Sequence, residues 1–345
     1  MKLIKPAMLK AGDKVAAISL SWGGAGDPEI LWRYEQGKHR LETQFGLEVV
    51  EMPLTLKGSA YVYDRPRERV RDLMQAFLDP SIKGIFSCIG GEESIRMLPY
   101  MDFNVIRKNP KVFIGYSDTT VTHMICRKAG LSSFYGPAIL SDFAENGQMF
   151  DYTKEWVKRA LFSNEPMGNV PAAPIWTSEY LPWLIENKEK MRSVQTNTGY
   201  EVLQGTGVHS GELIGGCMAV LEMIKGTEIW PEIGEWDNQI LFLETSPDQP
   251  DPTYVRYWLR NYGSQGILHR IKGLMFGKPY DEKYTNEYRS VIMKVVSEEL
   301  NLKTLPIFYN MSFGHTAPMC VLPYGAMAEL DCEAKTFKIL ESGVV

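Results

Sequence analysis

Apolar positions fall in blocks along the first half of the chain. Short apolar runs bounded by small or turn-forming residues alternate with stretches of apolar residues at three- and four-residue spacing. Lys14 to Leu20 reads as a strand, Ser21 to Gly26 as a small-residue loop, and Pro28 to about Gln44 as a helix. Leu47 to Met52 is a second strand. Glu68 to Leu78 is a second helix with arginines on its outer face. Ile82 to Ile89 is a third, nearly all-apolar strand running directly into Gly90-Gly91, and Glu92 to Leu98 is helical. Val112 to Ile114 is too short for a helix and reads as a buried strand. A helix from Thr119 and an apolar Leu131 to Leu140 segment follow. Strands without polar alternation, separated by helices, predict an α/β fold whose amino-terminal, mostly parallel sheet is flanked by helices.

The pattern changes after Phe162. Ser163 to Pro174 is rich in proline and small residues, Trp176 to Gln195 carries Trp176 and Trp183 among charges, and Gln204 to Gly211 is glycine-rich. Long irregular stretches of this kind are often functional. From Glu212 short strands resume at Ile240 to Leu243, Gly266 to Phe276, Pro306 to Tyr309, Cys320 to Leu322, Ala326 to Leu330 and Thr336 to Leu340. Helices interrupt them at Cys217 to Lys225, Thr253 to Tyr262 and Tyr284 to Leu300. The expected organisation is an amino-terminal α/β domain over 1–162, a linker and tryptophan-bearing loop over 163–205, and a smaller strand-rich carboxy-terminal α/β domain over 206–345.

Composition narrows the function classes. A net charge of −5 gives no footprint for nucleic acid or an anionic membrane surface. No stretch is long and apolar enough to span a membrane, and no signal-peptide pattern opens the chain. The five cysteines, Cys88, Cys126, Cys217, Cys320 and Cys332, are scattered without C-x-x-C spacing, which predicts reduced thiols and a cytoplasmic location. No H-E-x-x-H, Cys/His zinc spacing or Walker loop occurs, and Gly205-x-Gly207-x-x-x-Gly211 misses the dinucleotide fingerprint. Neither a metal nor another cofactor is expected.

Three loop positions carry candidate chemistry. Ser117, in Gly115-Tyr116-Ser117-Asp118-Thr119-Thr120, sits where a strand turns sharply into a helix. Gly115 is read as letting the backbone bend and leaving room for substrate. Two readings fit the serine: a helix cap, and a nucleophile on an elbow at a sheet edge, where free N–H groups stabilise negative charge. Glu244 ends the apolar run Ile240 to Leu243. A carboxylate there is either ion-paired or capping, or holds a histidine. His315, between Gly314 and Pro318 in an inter-strand loop, suits a base and acid near neutral pH. Gly90-Gly91 is either a tight turn or a pair of oxyanion donors. His123 lies within a helix and reads as packing; His39, His209 and His269 have no partner spacing.

These residues belong to a wider set of segments. They include Ala11-Gly12-Asp13-Lys14-Val15, Ile89-Gly90-Gly91 with Ser94, Asn109-Pro110-Lys111 and Gly115-Tyr116-Ser117-Asp118. Phe134-Tyr135-Gly136-Pro137, Gly211-Glu212-Leu213-Ile214-Gly215-Gly216, Leu243-Glu244 and Gly314-His315-Thr316 complete them. In these segments the chain resembles the LD-carboxypeptidase family of serine peptidases, and within it the microcin C immunity branch. The resemblance implies a Ser-Glu-His triad at Ser117, Glu244 and His315. It also implies an oxyanion hole from the backbone N–H groups of Gly91 and Asp118, a site between two domains, and a homodimer. Gly90, Cys217, Trp183 and, as second choice, Trp176 are expected at the substrate, with a tryptophan stacking on a nucleobase. Ser19-Leu20-Ser21 stands where the family usually has a proline before the serine, and Cys217 where it usually has asparagine. The implied substrate is a small peptide or peptidyl-nucleotide. The alternatives are a murein tetrapeptide, or a ligand that is bound without being cleaved.

Overall fold

The computed structural model describes residues 2–345. The strands of its amino-terminal part are β1 (Lys14–Ile18), β2 (Glu48–Glu51), β3 (Ile82–Ser87), β4 (Val112–Gly115) and β5 (Phe134–Tyr135). Beyond them run β6 (Gly168–Asn169), β7 (Ile175–Trp176), β8 (Gln195–Thr196), β9 (Glu201–Gln204), β10 (Val208–Cys217) and β11 (Gln239–Glu244). β12 (Gly273–Gly277), β13 (Ile307–Met311), β14 (Leu322–Pro323), β15 (Met327–Asp331) and β16 (Thr336–Ile339) complete the set.

One sheet has the order β14-β5-β4-β3-β1-β2, parallel throughout except for β14. The other has the order β6-β16-β15-β10-β11-β12-β13-β9, with a parallel centre from β10 to β13 and antiparallel flanks. β7 and β8 form a separate ribbon at the two ends of the tryptophan-bearing stretch. The chain is α/β, with a helix-flanked, mostly parallel first sheet and a strand-rich second one. β14 comes from the carboxy-terminal segment and closes the edge of the first sheet. β6, just past Phe162, adds to the second.

Helix Pro66–Leu78 buries Val70, Leu73, Ala76 and Phe77, the spacing of one helical face. Its Arg69 is an exception to the expected outer arginines. It is fully buried and donates from Nη1 to the carbonyls of Leu20 (2.8 Å) and Glu93 (3.2 Å), because two loops at the sheet edge leave carbonyls there without strand partners. Helix Thr120–Ala129 is buried on nearly every side, since it lies between the first sheet and β10. The long β10 differs from the expected glycine-rich excursion. Its glycines serve close approach: Gly216 has φ 141°, and a Cβ on it would stand 2.5 Å from Thr120 Cγ2. No helix among the described residues is long and apolar enough to cross a membrane.

His123 braces the strand that leads to Ser117. The Gly115 carbonyl only accepts, so Nε2 carries the proton donated to it (2.9 Å) and Nδ1 accepts from Ser133 Oγ (2.9 Å). Burial pulls the imidazole from its ordinary 6.5 down to about 3. Between those values the unfolded chain binds the extra proton, so this contribution to stability is whole above 6.5 and is lost as pH falls towards 3. Proton NMR should find the His123 ring neutral from about pH 8 to about pH 5. A midpoint near the ordinary value would contradict the buried bonds.

Candidate active site

Ser117 stands two residues past the end of β4 and has φ 63°, in the left-handed region that a non-glycine residue occupies only under constraint. Its side chain makes no capping bond; the turn Ser117–Thr119 leads into the helix with Tyr116 at the cap position. The residues before it explain the elbow. Gly115 has no positive φ, and a Cβ there would stand 2.7 Å from Ser87 Cβ and 2.8 Å from Thr119 Cγ2. Its smallness therefore lets strand and helix close on each other, rather than bending the chain or making room for substrate. Gly90, at the carboxyl end of β3, faces the hydroxyl: a Cβ on it would stand 2.9 Å from Ser117 Oγ and 3.2 Å from the Asp118 nitrogen.

Glu244 ends β11 and is 1% exposed. His315 Nδ1 donates to its Oε2 at 2.7 Å, which leaves Nε2 of that ring as the acceptor. Tyr135 Oη donates to the other carboxylate oxygen, Oε1, at 2.5 Å, and accepts from the Ser117 N–H at 3.2 Å. Tyr116 packs edge-on to the His315 ring at 5.0 Å between centroids. Ser117, Glu244 and His315 are thus brought to one neighbourhood, Glu244 at the carboxyl end of a strand and the other two just beyond one, where open parallel sheets place their ligands.

The Asp118 carboxylate ties the loops beside the elbow together. Its Oδ2 accepts from Ser21 Oγ (2.5 Å), from the Ser94 N–H (2.9 Å) and from Ser94 Oγ. Ser94 Oγ also lies 2.8 Å from the Asp118 carbonyl, and Ser21 Oγ accepts from the Glu93 N–H at 3.1 Å. Gly91 is held between these loops; a Cβ on it would collide with Ser21 Oγ at 2.5 Å. The atypical Ser19-Leu20-Ser21 loop is therefore fixed through Ser21 to Asp118.

A cleft of about 710 Å³ opens beside His315, which lines it together with Tyr116, Asp142, Trp183, Arg192 and Tyr280. Trp183 has Trp22 at 6.3 Å on one side and the Arg33 guanidinium 4.5 Å from its ring centre. Trp176 is elsewhere. It is buried in β7, with the Lys278 ammonium 4.3 Å from its ring, and does not line the cleft. Cys217 is also buried. It stands opposite Glu244 in the β10–β11 register and donates its N–H to Thr120 Oγ1 at 3.2 Å. Burial, and then the Glu244 carboxylate, push its thiol well above the ordinary range.

Tyr135, Arg33 and Arg192 are not legible in the sequence as parts of this site. Tyr135 sits in a matched segment that suggests no role, and Arg33 looks like one charge on an amphipathic helix. Arg192 finds its partner, Glu145, 47 positions away. It clamps that buried carboxylate with Nε and Nη2 and so fastens the tryptophan-bearing loop to the first sheet's flank.

The chain matches the LD-carboxypeptidase N-terminal domain over residues 15–136 and the LD-carboxypeptidase C-terminal domain over residues 210–330. It is 32% identical to a putative carboxypeptidase of Vibrio cholerae, over 89% of each chain. It is 30% identical to the microcin C7 self-immunity protein MccF of Escherichia coli, over 90% of this chain and 88% of that one. It is 26% identical to a probable murein peptide carboxypeptidase of Bacillus subtilis, over 99% and 95%. Among solved structures, an MccF-like protein from Streptococcus pneumoniae in complex with AMP superposes with a TM-score of 0.88 at 29% identity, covering 95% of this chain and 98% of that one. MccF in complex with aspartyl sulfamoyl adenosine gives 0.85 at 26%, covering 99% and 100%. With both family domains matched in order on this two-sheet fold, the chain belongs to the LD-carboxypeptidase family and is a serine peptidase.

Proposed function

We propose that this peptidase hydrolyses an amide bond in a peptidyl or aminoacyl nucleotide of the microcin C type, by a Ser-Glu-His triad at Ser117, Glu244 and His315. His315 Nε2 takes the Ser117 Oγ proton as Oγ attacks the carbonyl carbon. The oxyanion lies against the N–H groups of Gly91 and Asp118. The imidazolium, stabilised by Glu244, passes its proton to the leaving nitrogen as the amide breaks. Water then attacks the serine ester, His315 takes its proton, and Oγ leaves reprotonated. What supports the base is the Nδ1–H bond to Glu244, which frees Nε2 of the same ring.

The observation that carries the nucleotide reading is Trp183 in the wall of the cleft that His315 also lines. An indole face holds a base by stacking, without needing hydrogen bonds to read it. The AMP and sulfamoyl adenosine bound by the two similar structures favour the same class. Trp176, packed under Lys278, has no part in this reading. The murein peptide reading has support in the Bacillus subtilis relative, and differs in needing no aromatic platform. The five free, buried cysteines support a reducing compartment.

Ser117→Ala should lower turnover by a factor on the order of 10⁴ or more with the fold intact; retained turnover in that variant refutes the mechanism. Aspartyl sulfamoyl adenosine and a murein tetrapeptide, assayed side by side, separate the two substrate classes. Trp183→Ala should raise KM for the nucleotide about tenfold, the loss of roughly 1–3 kcal/mol of stacking, and leave murein peptide cleavage unchanged. Equal effects on both would remove the nucleotide reading.

A further inference from the structure

Tyr135 is fully buried at the end of β5, with the rings of His123 at 5.8 Å and Phe242 at 5.5 Å fixing its plane. A phenol has one proton. The Ser117 N–H can only donate and the Glu244 carboxylate can only accept, so the proton of Tyr135 points to Glu244 and its lone pair to Ser117. One hydroxyl therefore joins the backbone of the elbow, in the first sheet, to the carboxylate that orients His315, in the second. The 2.5 Å separation from Glu244 marks a charge-assisted bond.

We infer that Tyr135 is a positioning residue: it holds the left-handed Ser117 amide, and by sharing the Glu244 charge it sets how strongly the His315 imidazolium is stabilised. The inference rests on the Ser117, Glu244 and His315 reading above. The groups facing Glu244 are Tyr135, Tyr116, Tyr324 and Cys217, and the cleft that His315 lines adds Asp142, Glu179, Arg33, Arg192 and Tyr280. Burial pushes the first four up, so they stay protonated near neutral pH. It also raises Asp142, which bonds to Ser141 and the Ala138 N–H, while Arg192 bonds to Glu145. Lys278, next to Gly277 at the neighbouring strand end, turns to Glu282 and Trp176 instead. Beside the His315 bond, the bond from Tyr135 is the contribution to this carboxylate that substitution can tune. Removing it concentrates the negative charge on the oxygen facing His315, favours the imidazolium, and moves the acid limb of reactivity to higher pH. Strengthening it does the reverse.

The test uses a fluorophosphonate probe, whose second-order rate of serine labelling is followed against pH in the full chain. With Tyr135→Phe the maximal rate should fall about tenfold or more, and the acid limb should rise by about half a pH unit to one unit. With 3-fluorotyrosine at position 135, a stronger donor of nearly the same shape, the limb should move down instead. That second protein carries the test if the phenylalanine variant fails to fold. An acid limb unmoved in both overturns the inference even where the rate falls, because loss of packing alone lowers the rate without that shift. Ser117→Ala is run alongside: labelling that persists there refutes the underlying triad reading, whereas an inert Ser117→Ala with an unmoved limb refutes the role of Tyr135 alone.

Discussion

A single buried carboxylate constrains the whole arrangement. Glu244 is 1% exposed, and a buried charge without partners carries a penalty of several kcal/mol. Its two oxygens are served from different places: one by His315 in the loop after β13, the other by Tyr135 at the end of β5. One partner comes from the second sheet's side and the other from the first, so the same carboxylate links the two sheets and holds the imidazole. Losing a hydrogen bond to a buried charge is expected to cost about 1.5–3 kcal/mol, which is the scale of the Tyr135 contact between the halves.

Close approach at the strand ends makes that docking possible. Gly314, φ 95°, and Gly277 both face Glu244, and a Cβ on Gly314 would stand 2.8 Å from the carboxylate's own Cβ. On the other side Gly216 meets Thr120 on the helix that leaves the elbow. Gly314 and Gly277 close the second sheet's own strand ends around Glu244, whereas Gly216 lets that sheet approach the helix that leaves the elbow.

Much of this was legible in the sequence. Unbroken apolar runs separated by helical periodicity gave the parallel sheet, and β1 and β4 match it within two residues. Ser117, Glu244 and His315 stood out because a polar group of suitable chemistry followed a buried strand. What stayed hidden depends on contacts distant in sequence. β10 looked like loop because three of its ten residues are glycine, a composition explained only by Asn238, Phe242 and Thr120 packed against them. Arg69 looked like a surface charge until two loop carbonyls required its guanidinium. Gly115 was legible as necessary, yet for the wrong reason, since the atoms that crowd it come from Ser87 and Thr119.

The cleft wall that bears Trp183 follows the same logic as the Glu244 neighbourhood. The loop bearing Trp183 is not free to choose its pose. Thr177 and Ala317 exchange two backbone bonds, at 2.7 and 3.0 Å, so the start of that loop is tied to the segment just after His315. Farther along, Asn146 Nδ2 donates to the Asn187 carbonyl and the Gly147 N–H to that of Lys188, while Arg192 holds Glu145. Arg33 sits beneath the indole with Nε on the Leu140 carbonyl and Nη1 on Asn146 Oδ1, so its guanidinium is a fixed platform rather than a mobile charge. The tryptophan seated on this fixed cation lines the cleft in one pose. On the function proposed above, a ligand stacked there would be held at a set distance from His315, because the loop that carries the tryptophan and the loop that carries the histidine share the Thr177–Ala317 bridge. Stacking tolerates any base, so on that proposal selectivity would come from the length between the aromatic face and the scissile carbonyl, a length built into the backbone.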